Sequence, residues 1–175
     1  MGPCPTFNLY SATTHVPGAM QTQSLLVTLP LVVAQYKIED HPRRTHHWSL
    51  VALMNRNNAR VFQLIGNKNN FQYRVGHTNQ FTRSKTLRGG CQVGHIEADK
   101  LDWLAQRLQE VDITYNDLDF DCQTWILGAL RLLHNDEGVE ISIISEKAIR
   151  EELKEEENRW EQAEDTIEER LFPSA

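Results

Sequence analysis

Cysteine is scarce, basic charge is not in excess, and the apolar runs are short; each shortage removes a class of protein. The three cysteines, Cys4, Cys91 and Cys122, are too few and too far apart for a disulfide framework. An odd, unpaired set suits a reducing compartment, so a cytoplasmic protein is expected. Lys and Arg number 18 against 24 Asp and Glu, a net charge of -6. That balance argues against nucleic acid, which asks for a basic face. Eleven of the acids and five of the bases lie in Glu146–Arg170, so this tail alone accounts for -6 and the remainder is neutral. Leu25–Ala34, the one apolar run, is too short to span a bilayer and contains Pro30. Val32-Val33-Ala34 imitates a signal cleavage site, but no Lys or Arg precedes the run, and it reads as a strand. Met1-Gly2-Pro3-Cys4-Pro5-Thr6 fits the spacing of a myristoylation signal, with Pro3 speaking against it. A soluble chain with no membrane span is expected.

What is present is one domain's worth of chain with unequal ends. Residues 1–23 mix Pro, Gly, Ser, Thr and Gln without periodicity and read as a flexible leader. The body is expected over 24–144. It begins with one strand, or two bent at Pro30, in Leu25–Ile38, followed by a loop at Pro42-Arg43-Arg44. His47–Leu53, Arg60–Ile65 and Phe71–Val75 alternate like strands and are separated by Asn/Gly turns, the pattern of an antiparallel meander. Gly76–Gly90 reads as a long loop bordering a cleft, and Cys91–Ile96 as a short strand. Leu101, Leu104, Ala105 and Leu108 share a face, which predicts a helix over Ala98–Val111. A more apolar helix is predicted over Cys122–His134, then a strand-like run over Val139–Ile144. Ser145 caps a long acidic helix reaching about Glu169, within a separate 145–175 segment.

The segment Asp119-Phe120-Asp121-Cys122-Gln123-Thr124-Trp125 carries the most chemistry. Asp121 is a suitable N-cap, so Cys122 falls in the first helical turn. There the helix dipole and unbonded amides lower a thiol pKa and can hold an oxyanion. Cys122, Ile126, Ala129 and Leu133 form one stripe, which also allows the plainer reading of a buried core cysteine. A thiolate needs a proton acceptor, and His47 is the best placed of the seven histidines. It shares a strand face with Ser49 and Val51, while Trp48, Leu50 and Ala52 share the other. His46 projects opposite to His47, so one of the pair can face the helix. Gln63, in Val61-Phe62-Gln63-Leu64, can give an amide oxygen to the imidazole N–H; without catalysis it is a hydrogen-bonded structural residue.

A strand opening His-aromatic-small-aliphatic, a strand with a polar residue inside Val-x-x-Leu, and a later Asp-Cys at a helix start together resemble the circularly permuted papain-like thiol enzymes. These include the lecithin retinol acyltransferase-like proteins and the PPPDE peptidases. The chain is also similar to uncharacterised fungal proteins with a His-Trp-small-Leu strand and a Cys-Gln-x-Trp helix. The resemblance covers about His47 to Leu133. It implies Cys122 as nucleophile, His47 as base and Gln63 as orienting residue. Two positions depart from the acyltransferase-like pattern: Gln63 stands where histidine is usual, and Gln123-Thr124-Trp125 where Glu-His follows the cysteine.

Cys91-Gln92-Val93-Gly94-His95 has a Cys-x3-His spacing with His77 near in sequence, but no second pair completes a metal set, so no metal or cofactor is expected. Gly89-Gly90 lacks the Lys-Ser/Thr of a phosphate loop. In the tail, Ile149, Leu153, Trp160, Ile167 and Leu171 form a stripe that either docks the helix on the body or makes a homodimer seam. The expected fold is α+β: an antiparallel sheet packed on the Cys122 helix in a permuted papain-like arrangement, with a long acidic C-terminal helix. Two functions follow. One is a thiol hydrolase or acyltransferase acting on an amide, isopeptide or ester of a small-molecule or protein substrate. The other is a non-catalytic module that uses the acidic helix for a partner or self-association.

Overall fold

A computed structural model of the chain describes residues 27–39, 45–143 and 145–174. The leader, Cys4 and the Pro42-Arg43-Arg44 loop lie outside these residues. Among those described, six strands form one antiparallel sheet: β1 (Thr28–Lys37), β2 (His46–Leu53), β3 (Ala59–Ile65), β4 (Gln72–Thr78), β5 (Leu87–Glu97) and β6 (Val139–Ile141). Their order is β4-β3-β2-β1-β5-β6, so the first four make a meander and β5 returns to the far side of β1. The α-helices are α1 (Leu101–Arg107), α2 (Cys122–Leu133), α3 (Glu146–Gln162) and α4 (Ile167–Leu171). The fold is α+β.

Alternation along the strands divides the core. Leu31, Val33, Trp48, Leu50, Phe62 and Leu64 pack with Trp125, Ile126, Ala129 and Leu130 of α2 and with Ile149 and Leu153 of α3. The opposite sheet face buries a smaller cluster, Val32, Ala34, Val51, Leu53 and Ala59, under Phe81 and Leu87, with Trp160 and Phe172 at its margin. The larger apolar side chains go to the face that carries the helical layer, where burial of each is worth about 2 kcal/mol.

One open alternative is resolved and two expectations need correcting. Of the one or two strands allowed for Leu25–Ile38 there is one, β1, which Pro30 does not divide. Pro30 pairs with His95 but lies beyond the last β1–β2 pair, Leu31↔Ala52, so its missing N–H costs no bond on that side. The register shift falls just after it, between Leu31 and Val32. The Gly76–Gly90 loop is shorter than its polar composition suggests. Pairs Val61↔Gly76, Arg60↔His77 and Ala59↔Thr78 carry β4 onward, and β5 begins at Leu87 opposite Tyr36. A single 3-10 turn, Phe81–Arg83, lies between them. The C-terminal helix is not continuous to Glu169. Ser145 caps α3, but Ala163 takes a left-handed φ of 51° and its N–H closes the helix on the carbonyls of Arg159 and Trp160. Thr166 and Glu169 then form a capping box that starts α4.

The acidic helix lies against the sheet. Ile149 and Leu153 are buried, and Glu156 is wholly enclosed where α3 crosses β5. Gly89 makes that crossing possible. Its φ is +83°, and a Cβ there would sit 2.4 Å from Glu156 Cγ. The heptad seam proposed for a dimer is thereby split between two helices, and its first half faces the chain's own sheet.

Candidate functional site

α2 begins where the polar 114–121 segment ends. Asp121 has extended backbone, and its Oδ1 accepts from the amides of Gln123 (2.9 Å) and Thr124 (3.0 Å). These two amides are therefore not open to an oxyanion, contrary to the sequence reading. The capping carboxyl also places negative charge against the positive end of the helix. Cys122, in the first turn, is 7% exposed.

His47 occupies the second position of β2, opposite Tyr36 of β1. Strand alternation gives the helical side of this end of β2 to His46, which shares a face with Trp48 and Leu50. This reverses the simplest expectation for the doubled histidines. His46 is half-buried, with Nε2 3.0 Å from Glu157 Oε1 of α3 and Nδ1 3.0 Å from Thr45 Oγ1. The His47 ring lies towards the other face, with its centroid 6.3 Å from that of Tyr36.

His47 Nε2 lies 3.0 Å from Gln63 Oε1. The β2–β3 ladder runs from Leu53↔Ala59 to Leu50↔Phe62, so this bond ties the strands just past the last backbone pair. An amide oxygen can only accept, so Nε2 carries the proton and Nδ1 keeps the lone pair. Burial pushes the His47 pKa below the ordinary imidazole value, and the Gln63 bond opposes that shift without cancelling it. The imidazole is thus neutral near pH 7 and can take up a proton.

A cavity of about 740 Å³ at this end of the sheet brings the three residues to one wall system. Cys122 lines it from α2, and His47 and Gln63 line it from the strands. Leu64, Phe71, Leu118 and Phe120 make much of the remaining surface apolar, with Lys68 and Asp117 among the polar groups. His47 and Gln63 also line a second cleft of about 460 Å³, together with Thr78, Ser84 and Thr86. The pair therefore lines both cavities.

The residues that hold this corner together include two that were given no role by the sequence reading. Gln123 Nε2 donates to the His46 carbonyl at 2.9 Å, and its Oε1 accepts from Arg150 Nη2 at 2.9 Å. Arg150 also donates to Glu146 Oε1 at 2.8 Å and lies 4.9 Å over the Trp48 ring. The start of α2, the start of β2 and the first turns of α3 are thus clamped by Gln123. The Cys-Gln-x-Trp pattern marks Gln123, but Arg150 arrives from a helix 27 residues on, and no local pattern announces it.

The other sulfur and imidazole groups lie apart. Cys91 is buried in the core, and burial, with Glu152 and Glu156 adding to it, pushes its thiol up to about 12. His95 is exposed, with Nε2 2.9 Å from Gln92 Nε2, so the Cys-x3-His spacing does not converge. Among the described residues no group of three or more His, Cys, Asp or Glu is arranged to hold a metal ion. No described helix is long and apolar enough to cross a membrane.

No protein-family model, curated protein or solved structure matches the chain.

Proposed function

We propose that this chain is a cytoplasmic thiol hydrolase or acyltransferase of the permuted papain-like kind, acting on an amide, isopeptide or ester carbonyl. The supporting observation is the half-buried His47–Gln63 pair, which lines the same cavity as the helix-start thiol of Cys122. Gln63 fixes the proton on Nε2 and leaves Nδ1 as the base. His47 takes the Cys122 proton directly or through one water, and the sulfur attacks the carbonyl carbon. The tetrahedral intermediate collapses to an acyl-enzyme as His47 returns the proton to the leaving amine or alcohol. Water or another acceptor then releases the acyl group. Because Asp121 occupies the amides of Gln123 and Thr124, the oxyanion must find other donors at the cavity wall.

The test is the rate at which iodoacetamide alkylates Cys122 at neutral pH, with Cys4 and Cys91 as internal references. His47→Ala is expected to slow Cys122 about 100-fold, the usual reach of one positioned base, while the fold persists. Labelling of Cys122 no faster than Cys4 or Cys91, and indifferent to His47→Ala, would sink the enzyme reading. It would leave the non-catalytic module, whose partner surface is the solvent side of α3.

A further inference from the structure

The second cleft lined by the His47–Gln63 pair has a lining unlike that of the Cys122 cavity. Its polar walls come from His77, Thr78, Gln80, Ser84 and Thr86, with Tyr36 below. Among the described residues no Lys, Arg, Asp or Glu lines it, although Arg83 and Lys85 are sequence neighbours of these residues. Phosphate recognition asks for guanidinium or ammonium donors, and an ammonium ligand asks for carboxylates. This cleft offers neither. It offers groups that both donate and accept, partly paired among themselves: Ser84 Oγ lies 3.3 Å from Thr86 Oγ1, and Thr78 Oγ1 accepts from the Gln80 amide at 3.1 Å. Each hydroxyl keeps further hydrogen-bonding capacity. The Tyr36 and Phe81 rings supply an apolar floor. At about 460 Å³ the space suits a small molecule.

We infer that this cleft binds a neutral polyhydroxyl compound, which serves as the acceptor of the acyl group carried by Cys122. The chemical half of this statement rests on the thiol-enzyme reading; the binding half does not. An acyl group on the sulfur lies in the Cys122 cavity, and the acceptor lies in the adjoining cleft, with His47 lining both. The acceptor hydroxyl oxygen attacks the thioester carbonyl, forming a C–O bond as the C–S bond breaks. His47 takes the hydroxyl proton and passes it to the departing sulfur, which restores thiol and base. Simple hydrolysis needs no such second chamber.

The probe is methyl β-D-glucopyranoside, titrated into the full chain and followed by backbone amide NMR, with inorganic phosphate and ethanolamine as charged comparators. Saturable shifts at Gly76, His77, Thr78 and Thr86 are expected for the glucoside alone. Thr78→Val is expected to weaken binding about fivefold, the worth of one hydrogen bond, and Thr78→Ser to restore it. No saturable shift, or saturation by phosphate in its place, overturns the inference. The glucoside is then added to protein supplied with S-butanoyl-N-acetylcysteamine, and the products are separated by mass. A butanoyl glucoside ester supports the acceptor role. Butanoyl-Cys122 resolved only to butanoate, with glucoside bound, overturns that role alone. Glucoside binding with no butanoyl-Cys122 at all removes the thiol-enzyme reading, and the acceptor role with it.

Discussion

Glu156 and His47 are withdrawn from water to different extents and on opposite terms. Glu156 is fully enclosed, and its carboxyl is completely answered. Oε1 accepts from the Ile167 amide at 2.5 Å, and Oε2 from Arg159 at 3.2 Å and Arg170 at 2.8 Å. His47 is held by one hydrogen bond to the Gln63 amide oxygen and lines two cavities. A buried polar group with every bond made has nothing left to offer a ligand and acts as structure. One that is pinned at a single atom and open beside it keeps a lone pair for chemistry. Glu156, at the one point where the acidic α3 is wholly enclosed, belongs to the first kind.

The comparison breaks most sharply at Glu156. Glu156→Ala leaves two arginines and a helix-start amide without their acceptor and releases α4 from α3. Breaking a buried pair in this way costs about 3 kcal/mol, the lower end of the usual range because both arginines can reach water. Urea unfolding should show that loss. In conditions where the variant remains folded, Cys122 alkylation should match wild type. A slowed thiol in folded Glu156→Ala would mean that the two regions are coupled and the contrast is false.

Gln63 is the next test. Gln63→Ala frees the imidazole to rotate and to change tautomer, and Cys122 alkylation should fall about tenfold, less than on removing the base itself. Stability should change by about 1 kcal/mol, one partly buried hydrogen bond. Gln63→Glu keeps the acceptor and adds charge, which raises the His47 pKa, so its alkylation profile should shift towards higher pH relative to wild type. A large loss of stability with unchanged alkylation would place Gln63 with Glu156, among the structural groups.

Arg150 joins the regions and predicts a smaller effect. Arg150→Ala removes the bond to Gln123 and the cover over Trp48, costing about 1 kcal/mol. The expected consequence is a slower alkylation of Cys122, about threefold, through loosening of the α2 start against β2. Arg150→Lys should not restore it, since a single ammonium cannot bond Glu146 and Gln123 in the same planar arrangement. Full rescue by lysine would show that only charge is needed there.

How legible all this was depended on the range of the interaction. The alternation of 47–53, the hydrophilic turn at Asn55–Asn58 and the apolar spacing after Asp121 are local, and β2, β3 and α2 follow them closely. The extension of β4 through Gly76-His77-Thr78 is not local, because pairing with β3 sets it rather than the propensity of those residues. The break at Ala163 was hidden for a similar reason. An alanine is a poor advertisement for a left-handed residue, and tertiary ties from Glu156 to Ile167 and Arg170 favour the turn. At the candidate site, the Gln63 oxygen beside His47 was readable from strand parity. Which histidine lies towards the helices was not. Parity alone separates His46 from His47, but only the packing of Trp48 and Leu50 beneath α2 and α3 assigns the faces.

The smallest expected effect is on stability against pH, and its sign follows from burial. An unfolded imidazole takes its proton at about pH 6.5, whereas folded His47 takes it only at lower pH. As pH falls below about 6.5 the unfolded state binds the proton first, so this group's contribution to stability declines until the folded pKa is reached; above about 6.5 it is fully present. The slope from one such proton is at most about 1.4 kcal/mol per pH unit. Urea midpoints of wild type and His47→Ala should therefore draw together as the solution is acidified from neutrality. Parallel curves across that window would mean that the His47 ring is as well solvated in the folded chain as in the unfolded one. The two cavities would then lose the desolvated base they share, and the contrast with Glu156 would reduce to a difference in hydrogen-bond number.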